Sequence, residues 1–179
     1  MTFEIGEKVV YPNQGVGTIE NISARSFGTG SQFEKFYLLR LVYSSMTVMV
    51  PFSNVGNVGL RRITKTTEVH KVLNYLSSGD CAICPDWKCR FKINSDKMQS
   101  GNLLQIAEVL KGLLILQSDK PLSFREKKML ERAKFLLVSE LATARNTSAE
   151  TMEGALVKSL AKARLQMPSH MENAEGVEL

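Results

Sequence analysis

The sequence predicts an α+β protein in which a small antiparallel β-barrel precedes an all-helical domain of about five helices. Residues 8–51 are rich in Val, Ile, Tyr, Phe and Thr and are interrupted at short intervals by Gly and Asn, which is typical of strands and turns. After Ile63 the apolar residues recur with a period of about 3.6. The change of period predicts a domain boundary, with the barrel at residues 1–63 and the helices at residues 64–166.

Four strands are expected in the first domain, near residues 7–12, 15–24, 33–43 and 46–51. Turn-forming residues separate them at 12–15, 28–31 and 43–45, so neighbouring strands can pair as antiparallel hairpins. An open sheet of so few strands would expose both of its edges. Closure into an SH3-like or Tudor-like barrel is therefore the favoured arrangement.

The first three helices are predicted from periodicity and capping. In the first, apolar residues occur at i, i+3, i+4 and i+7, namely Val69, Val72, Leu73 and Leu76. Asp86 can cap a second helix that begins at Trp87. A third is expected after Gly101, with an inward stripe of Leu103, Ala107, Leu110 and Leu114.

The last two helices have start signals of their own. Ser123 and Glu126 fit a capping box, and Thr147 and Glu150 fit a second one. The apolar stripes that follow are Met129, Leu130, Ala133, Leu137, Leu141 and Ala144 in the fourth helix and Met152, Ala155, Leu156, Leu160 and Ala163 in the fifth. We expect residues 167–179, an acidic tail without a pattern, to be disordered.

The charge distribution points to an anionic partner for the helical half. The net charge is +5, and Lys and Arg outnumber Asp and Glu by 17 to 11 in residues 64–164, compared with 6 to 4 in residues 1–63. No apolar run approaches the roughly 20 residues that cross a bilayer, and the acidic N-terminus does not resemble a signal peptide. Three cysteines within nine residues make a poor disulfide framework, which favours a cytoplasmic protein.

Enzymatic and metal sites find little support in the sequence. The chain has two histidines, His70 and His170, and no nucleophile elbow, P-loop or dinucleotide-binding glycine pattern. We therefore expect a non-enzymatic protein without a cofactor. The spacing of Cys81, Cys84 and Cys89, with His70 as a fourth ligand, permits a zinc site, although structural zinc sites usually show two clean ligand pairs. Free cysteines are favoured, and a zinc-stabilised domain stays an alternative.

Two segments are candidates for binding macromolecules. Trp87, the single tryptophan, begins a helix that also carries Lys88, Arg90, Phe91, Lys92 and Lys97. An exposed aromatic ring among cations can wedge against a base while the cations contact phosphates. A core stripe with solvated lysines explains the pattern alone somewhat better. Separately, residues 47–51 end in Pro51, which is typical of an edge strand that can dock on another protein's sheet.

These features coincide in one family, because the chain resembles the bacterial CarD and CdnL transcription regulators along nearly its whole length. The opening signature is Phe3-x2-Gly6-x-Lys8-Val9-Val10-Tyr11-Pro12-Asn13-Gln14-Gly15-Val16-Gly17, followed by residues 36–40, 48–51 and 57–61 in the expected order. The first sixty residues also resemble the polymerase-binding module of the transcription-repair coupling factor. The helical half distinguishes the two, through Trp87-x2-Arg90, Ser100-Gly101, residues 107–109, residues 122–130 and Glu140-Leu141.

The resemblance implies a function. In this family a Tudor-like barrel binds the β subunit lobe of RNA polymerase, and the helical domain touches promoter DNA at the upstream edge of the melted bubble. The implied polymerase-facing residues are Arg25, Met49 and Pro51, and some family members carry an arginine at the position of Met49. The implied DNA-binding residues are Trp87, Lys88, Arg90, Lys92 and Lys97.

The predicted function is therefore that of a monomeric, nucleoid-associated factor. It would stabilise open complexes at housekeeping promoters, such as those of ribosomal RNA, without reading sequence. The alternative is a protein adaptor on the polymerase that never touches DNA.

Overall fold

The computed structural model describes residues 2–26, 33–78 and 80–168, and it shows a five-stranded antiparallel sheet followed by helices. The strands are β1 (Lys8–Tyr11), β2 (Gly15–Ser26), β3 (Phe33–Leu41), β4 (Thr47–Pro51) and β5 (Arg61–Arg62), in the spatial order β4-β3-β2-β1-β5. The predicted α+β class and the four predicted strands are confirmed. The turn predicted at residues 28–31 lies outside the described residues, as does the end of the predicted acidic tail.

The sheet bends around an apolar core. Between Ile19 and Asn21 the pairing of β2 with β3 shifts by one residue, which inserts Glu20 as a bulge and turns the strand. Tyr37 lies at the centre, where its hydroxyl accepts a hydrogen bond from Phe3 N at 3.0 Å and its ring stacks on Phe52. The buried residues of this core are Phe3, Val9, Ile19, Tyr37, Leu39, Leu41, Val50, Val55 and Leu60. A short 3-10 turn (Phe52–Asn54) and α1 (Val55–Val58), which the sequence did not predict, help to close it.

Five longer helices form the second unit, as predicted: α2 (Thr66–Ser78), α3 (Trp87–Ser100), α4 (Leu103–Asp119), α5 (Phe124–Arg145) and α6 (Ala149–Lys162). The predicted capping box of α5 is present, since Ser123 and Glu126 each satisfy the other's backbone N–H. The box predicted for α6 is wrong by one residue. Ser148 is the N-cap and accepts from Thr151 N, so Thr147 lies outside the helix.

A second apolar core lies among these helices. All four residues of the stripe predicted for α4 are buried, and Leu137, Leu141, Leu156 and Leu160 are fully enclosed. The predicted stripes of α5 and α6 also contain half-buried members, Met129, Ala144, Ala155 and Ala163, at the edge of this core. Within the described parts of the chain, no helix is both long and apolar enough to cross a membrane.

The two units pack tightly, which the sequence did not predict. Arg61 of β5 donates from Nη1 and Nη2 to the carboxylate of Glu140 on α5, at 2.6 and 2.8 Å, and from Nη2 to the carbonyl of Gly101 at 2.7 Å. Glu140 is only 2% exposed and also accepts from Thr64 N. Pro12, in the β1–β2 turn, packs against Gly59 and Gly101, and a Cβ at either glycine would lie 3.1–3.2 Å from it. Both glycines also have positive φ, so these positions favour glycine for its backbone conformation as well as for its missing Cβ.

Arg132 of α5 makes a second connection across the same boundary. Its Nε donates to the carbonyl of Asn13 at 3.1 Å, and its Nη2 donates to Oε1 of Gln14. Its guanidinium also lies 4.7 Å from the ring centroid of Tyr43, which contacts Phe135. The helical unit is therefore attached to the sheet at the β1–β2 turn, at β5 and after β3.

Candidate functional site

Trp87 is the first residue of α3, and the cap of this helix fixes its position. The Asp86 carboxylate accepts a hydrogen bond from Cys89 N at 2.8 Å, which starts the helix as predicted. The indole stacks on Phe91 one turn later, with ring centroids 5.8 Å apart and planes at 21°. Trp87 remains 40% exposed, and neither core includes it. The core-stripe interpretation is therefore wrong for Trp87.

A groove of about 340 Å³ opens beside this aromatic pair, between α3 and the first turns of α5. We call it the aromatic groove. Its lining includes Phe91, Met98, Phe124 and Met129. Phe124 is 72% exposed although it is large and apolar. An aromatic side chain left in solvent beside a concave surface is typical of a binding site rather than of a core.

Five cations surround the aromatic groove, and one of them, Arg132, lines it while bound to the β1–β2 turn. Arg125 and Lys128 line it, and Lys128 Nζ lies 5.6 Å from the ring centroid of Phe124. Lys88 and Lys92 lie on the same side of α3 as the lining residues Ser95 and Gln99, because each precedes one of them by seven residues, or about two turns. Among the described residues, Lys88, Lys92 and Arg125 form no ion pair. Their charges are therefore open to an anionic ligand.

Arg90 does not reach this surface, in contrast to the expectation for a phosphate contact. It is 5% exposed, and its Nε and Nη2 donate to Glu126 Oε1 at 3.2 and 2.8 Å. Its Nη1 donates to the carbonyls of Cys84 and Pro85 at 3.0 and 3.2 Å. Arg90 therefore ties the segment before α3 to the start of α5, and it orients both walls of the aromatic groove.

The partner of Arg90 is held as a carboxylate. Burial acts to raise the pKa of Glu126, but hydrogen bonds from Arg90 and Ser123 outweigh it, so the pKa lies below the ordinary value. The same carboxylate closes the capping box, with Oε2 accepting from Ser123 N and Oγ at 3.0 and 2.8 Å. One buried group thus serves both the cap of α5 and the position of α3.

Lys97 also departs from the expected cluster. Its Nζ pairs with Glu108 on α4 at 2.7 Å, and it lines a small pocket with Cys81 and Cys84 on the other side of α3. All three cysteines are free thiols. His70, the suggested fourth zinc ligand, instead lies 3.3 Å from Arg145. In residues 2–26, 33–78 and 80–168, no three His, Cys, Asp or Glu side chains gather in a way that could hold a metal ion.

The expected polymerase-facing residues share one face of the sheet. Arg25 lies opposite Glu34, Met49 opposite Leu38 and Pro51 opposite Phe36, and these β3 partners are spaced by two residues. We call this the outer face, defined by Arg25, Met49 and Pro51. Arg25 is exposed, while Met49 and Pro51 are half-buried. β4 is the terminal strand of the sheet, so its second edge is unpaired within the described residues.

Sequence reasoning missed the α5 half of the site. Phe124, Arg125 and Lys128 occupy the first turns of α5, and they meet α3 only through tertiary packing. The one signal available was Phe124 itself, an aromatic residue directly after the capping Ser123, outside the apolar stripe of the helix.

Comparisons with known proteins found two family models, a relative and a solved structure that are similar to this chain. Residues 3–64 match the family model described as "CarD-like/TRCF RID domain", and residues 71–157 match "CarD, C-terminal domain". The chain is 36% identical over 139 residues to the Bacillus subtilis (strain 168) protein named "Putative transcription factor YdeB", covering 78% of this chain and 90% of the relative. The solved structure "CdnLNt from Myxoccoccus xanthus" is 41% identical over 35% of this chain and 86% of its own, with a TM-score of 0.29.

The two family models follow each other along the chain in the order of the sheet and the helices. The relative is matched along most of its length, so the similarity is not confined to one module. This chain belongs to the CarD family of transcription factors.

Proposed function

We propose that this protein binds RNA polymerase through the outer face and promoter DNA through the aromatic groove, and that it thereby stabilises the open complex. The polymerase contact is the β subunit lobe, and the DNA contact lies at the upstream edge of the bubble. Housekeeping promoters, such as those of ribosomal RNA, are its targets. The observation that carries the proposal is Trp87, an exposed ring stacked on Phe91 beside a groove that cations surround.

The polymerase side rests on the chemistry of the outer face. Met49 docks by apolar contact and shape, because the thioether adapts to an irregular surface. Arg25 adds a charge at the far end of the same face. The edge of β4 that no described strand pairs with offers backbone donors and acceptors, which can extend a sheet of the partner.

The DNA side combines an aromatic wedge with phosphate contacts. Minor-groove proteins insert apolar side chains between base steps, and their other contacts with the DNA offset part of the free energy of unstacking. At the edge of a bubble the bases are already unstacked, so Trp87 gains a partner there that closed duplex does not offer. Lys88, Lys92, Arg125 and Lys128 contact phosphates without reading sequence.

The effect on transcription follows from differential binding. A ligand shifts an equilibrium only by the difference between its affinities for the two states. If Trp87 binds the open complex better by ~1.4 kcal/mol, the ratio of open to closed complexes rises about tenfold. No chemical step or turnover is needed.

The lifetime of an open complex tests the proposal. It is measured with the cognate housekeeping polymerase on a ribosomal RNA promoter, with wild-type protein, Trp87→Ala and Ile93→Ala. Ile93 is a matched control, because it is 41% exposed on the same helix but lies outside the aromatic groove. We expect the wild type and Ile93→Ala to lengthen the lifetime and Trp87→Ala to lose the effect.

Binding to the polymerase separates the proposal from the adaptor alternative. Met49→Asp places a charge in the outer face and should abolish binding, while Trp87→Ala should bind as the wild type does. A protein that binds the polymerase but leaves the lifetime unchanged would be an adaptor, and the DNA part of the proposal would then be wrong.

A further inference from the structure

The lining of the aromatic groove combines apolar surface, an exposed ring and free polar side chains. Met98 is buried among the lining residues, whereas the ring of Phe124 is 72% exposed. Ser95 and Gln99 also line the groove, and within the described residues their side chains make no hydrogen bond. The lining therefore offers a flat ring together with polar groups that have no partner in the chain.

Arg132 adds a fixed positive charge to this lining. Its Nε and Nη2 donate to the carbonyl of Asn13 at 3.1 and 2.5 Å, and Nη2 also donates to Gln14 Oε1 at 3.1 Å. Neither partner is a carboxylate, and Arg132 forms no ion pair among the described residues. The guanidinium is thus held in orientation while its charge stays available to an anion.

Lys128 lies one helical turn before Arg132, so the two cations are separated by about 6 Å along α5. Lys128 Nζ is 3.7 Å from the Glu131 carboxylate, and both side chains are at least partly exposed. An exposed ion pair of this kind contributes little to stability, so a phosphate can replace it. The groove therefore presents two cations at a spacing that suits two successive phosphates of one strand.

The shape of the groove suits a single nucleotide better than a duplex. Its volume of about 340 Å³ is at the small end of ligand-binding sites. Duplex DNA presents only the edges of its bases in its grooves, whereas an unpaired base offers a face that stacks on an aromatic ring.

Trp87 lies beside this site and not in it. Its ring stacks on Phe91, which lines the groove, but Trp87 itself does not. A duplex that ends against Trp87 would therefore deliver its next, unpaired nucleotide to the groove beyond Phe91.

We propose that the aromatic groove is a binding site for one unpaired nucleotide of single-stranded DNA. The base stacks on Phe124, and its two flanking phosphates contact Lys128 and Arg132. The inference rests on the proposed function, which puts the groove at the edge of the bubble, and it deepens that function by naming the melted strand as the ligand. Fully paired DNA leaves the site empty, so the site adds to the difference in affinity between open and closed promoters.

The test compares three fluorescein-labelled DNA probes that bind the full chain. The first is a paired duplex, the second is the same duplex with a short thymidine extension on one strand, and the third carries abasic residues in place of those thymidines. Abasic residues keep every phosphate, so the two forked probes differ only in their bases. Dissociation constants are measured by fluorescence anisotropy at one salt concentration. We expect the thymidine fork to bind more tightly than the abasic fork by roughly fivefold or more, as for a base stacked on an aromatic ring.

Three variants assign the effect to the ring of Phe124. Phe124→Ala should bind the thymidine fork no better than the abasic fork, while its affinity for the duplex stays that of the wild type. Phe124→Tyr keeps a ring and should keep the preference. Phe33→Ala is the matched control, because Phe33 is 73% exposed on β3 and does not line the groove, so this variant should bind all three probes as the wild type does. Circular dichroism checks that each variant is folded.

Two results would overturn the inference. One is a wild type that binds both forks equally, which would leave the groove to another occupant, such as a protein segment. The other is a Phe124→Ala variant that loses affinity for all three probes to the same extent.

The lifetime of the open complex separates this inference from the proposed function. If the protein lengthens the lifetime through Trp87 but binds both forks alike, only the nucleotide site is wrong. If Trp87→Ala lengthens the lifetime as the wild type does, the proposed wedge is wrong whatever the forks show. If none of the probes is bound, the nucleotide site and the DNA part of the proposed function are both wrong.

Discussion

Replacing Arg90 with methionine should destabilise the protein strongly and leave the proposed phosphate contacts of Lys88 and Lys92 intact. Methionine fills similar volume but donates no hydrogen bond, so the Glu126 carboxylate, in a residue that is 5% exposed, keeps only its contacts with Ser123. The carbonyls of Cys84 and Pro85 lose a donor as well. Breaking a buried pair by removing one partner costs roughly 3 to 5 kcal/mol. For a chain of this length the melting temperature should fall by roughly 6 to 20 °C.

The assay is urea or thermal unfolding of Arg90→Met beside Lys92→Met, a control with the same charge change on the same helix. Lys92 is exposed, so its variant should stay within about 0.5 kcal/mol of the wild type. The double variant Arg90→Met/Glu126→Leu should recover much of the loss, since it leaves no charge buried alone. A stability loss below about 1 kcal/mol in Arg90→Met, with weakened DNA binding like that of Lys92→Met, would refute the structural role of Arg90.

Further predictions concern charge, pH and packing. Lys88→Gln/Lys92→Gln should lower the slope of log K against log salt by about 2 in DNA titrations, because each lysine contacts a phosphate in the proposed complex. The pKa of Glu126 is lower in the folded chain than its ordinary value near 4.5. Below that pH the unfolded chain binds more protons than the folded chain, so the free energy of unfolding falls as the pH falls. In denaturant unfolding, Glu126→Gln should lose less of its free energy of unfolding in acid than the wild type does. Gly17→Ala should lose roughly 1 to 3 kcal/mol in urea unfolding, because its Cβ would lie 2.7 Å from Leu39 Cδ1 and 2.9 Å from the Arg40 carbonyl oxygen.

Local signals predicted local structure well in this chain. Asp86 before Trp87 and Ser123 before Glu126 each set a helix start, because a cap depends on residues only three positions apart. The prediction of Thr147 as the N-cap of α6 was wrong, because Ser148 offers a competing hydroxyl one residue later. Composition alone does not choose between the two residues.

The surface chemistry was predictable only in part. Trp87, Lys88 and Lys92 belong to one helix, so the sequence could group them. The burial of Arg90 could not be foreseen, since Glu126 lies 36 residues away and an arginine in a basic helix usually faces water. Phe124 escaped notice for a related reason, because only tertiary packing brings α5 beside α3.

The packing between the sheet and the helices has a consequence for assembly on a promoter. Pro12 sits between Gly59 and Gly101, and Arg61 and Arg132 pin the boundary on either side, so the outer face and the aromatic groove are held at one spacing. In the proposed complex the chain acts as a rigid spacer between the polymerase and DNA. Once the outer face binds the polymerase, the aromatic groove is presented to DNA at a high effective concentration, and at only one position along the duplex. Such a protein selects promoters by the distance from polymerase lobe to bubble edge and needs no base-specific contact.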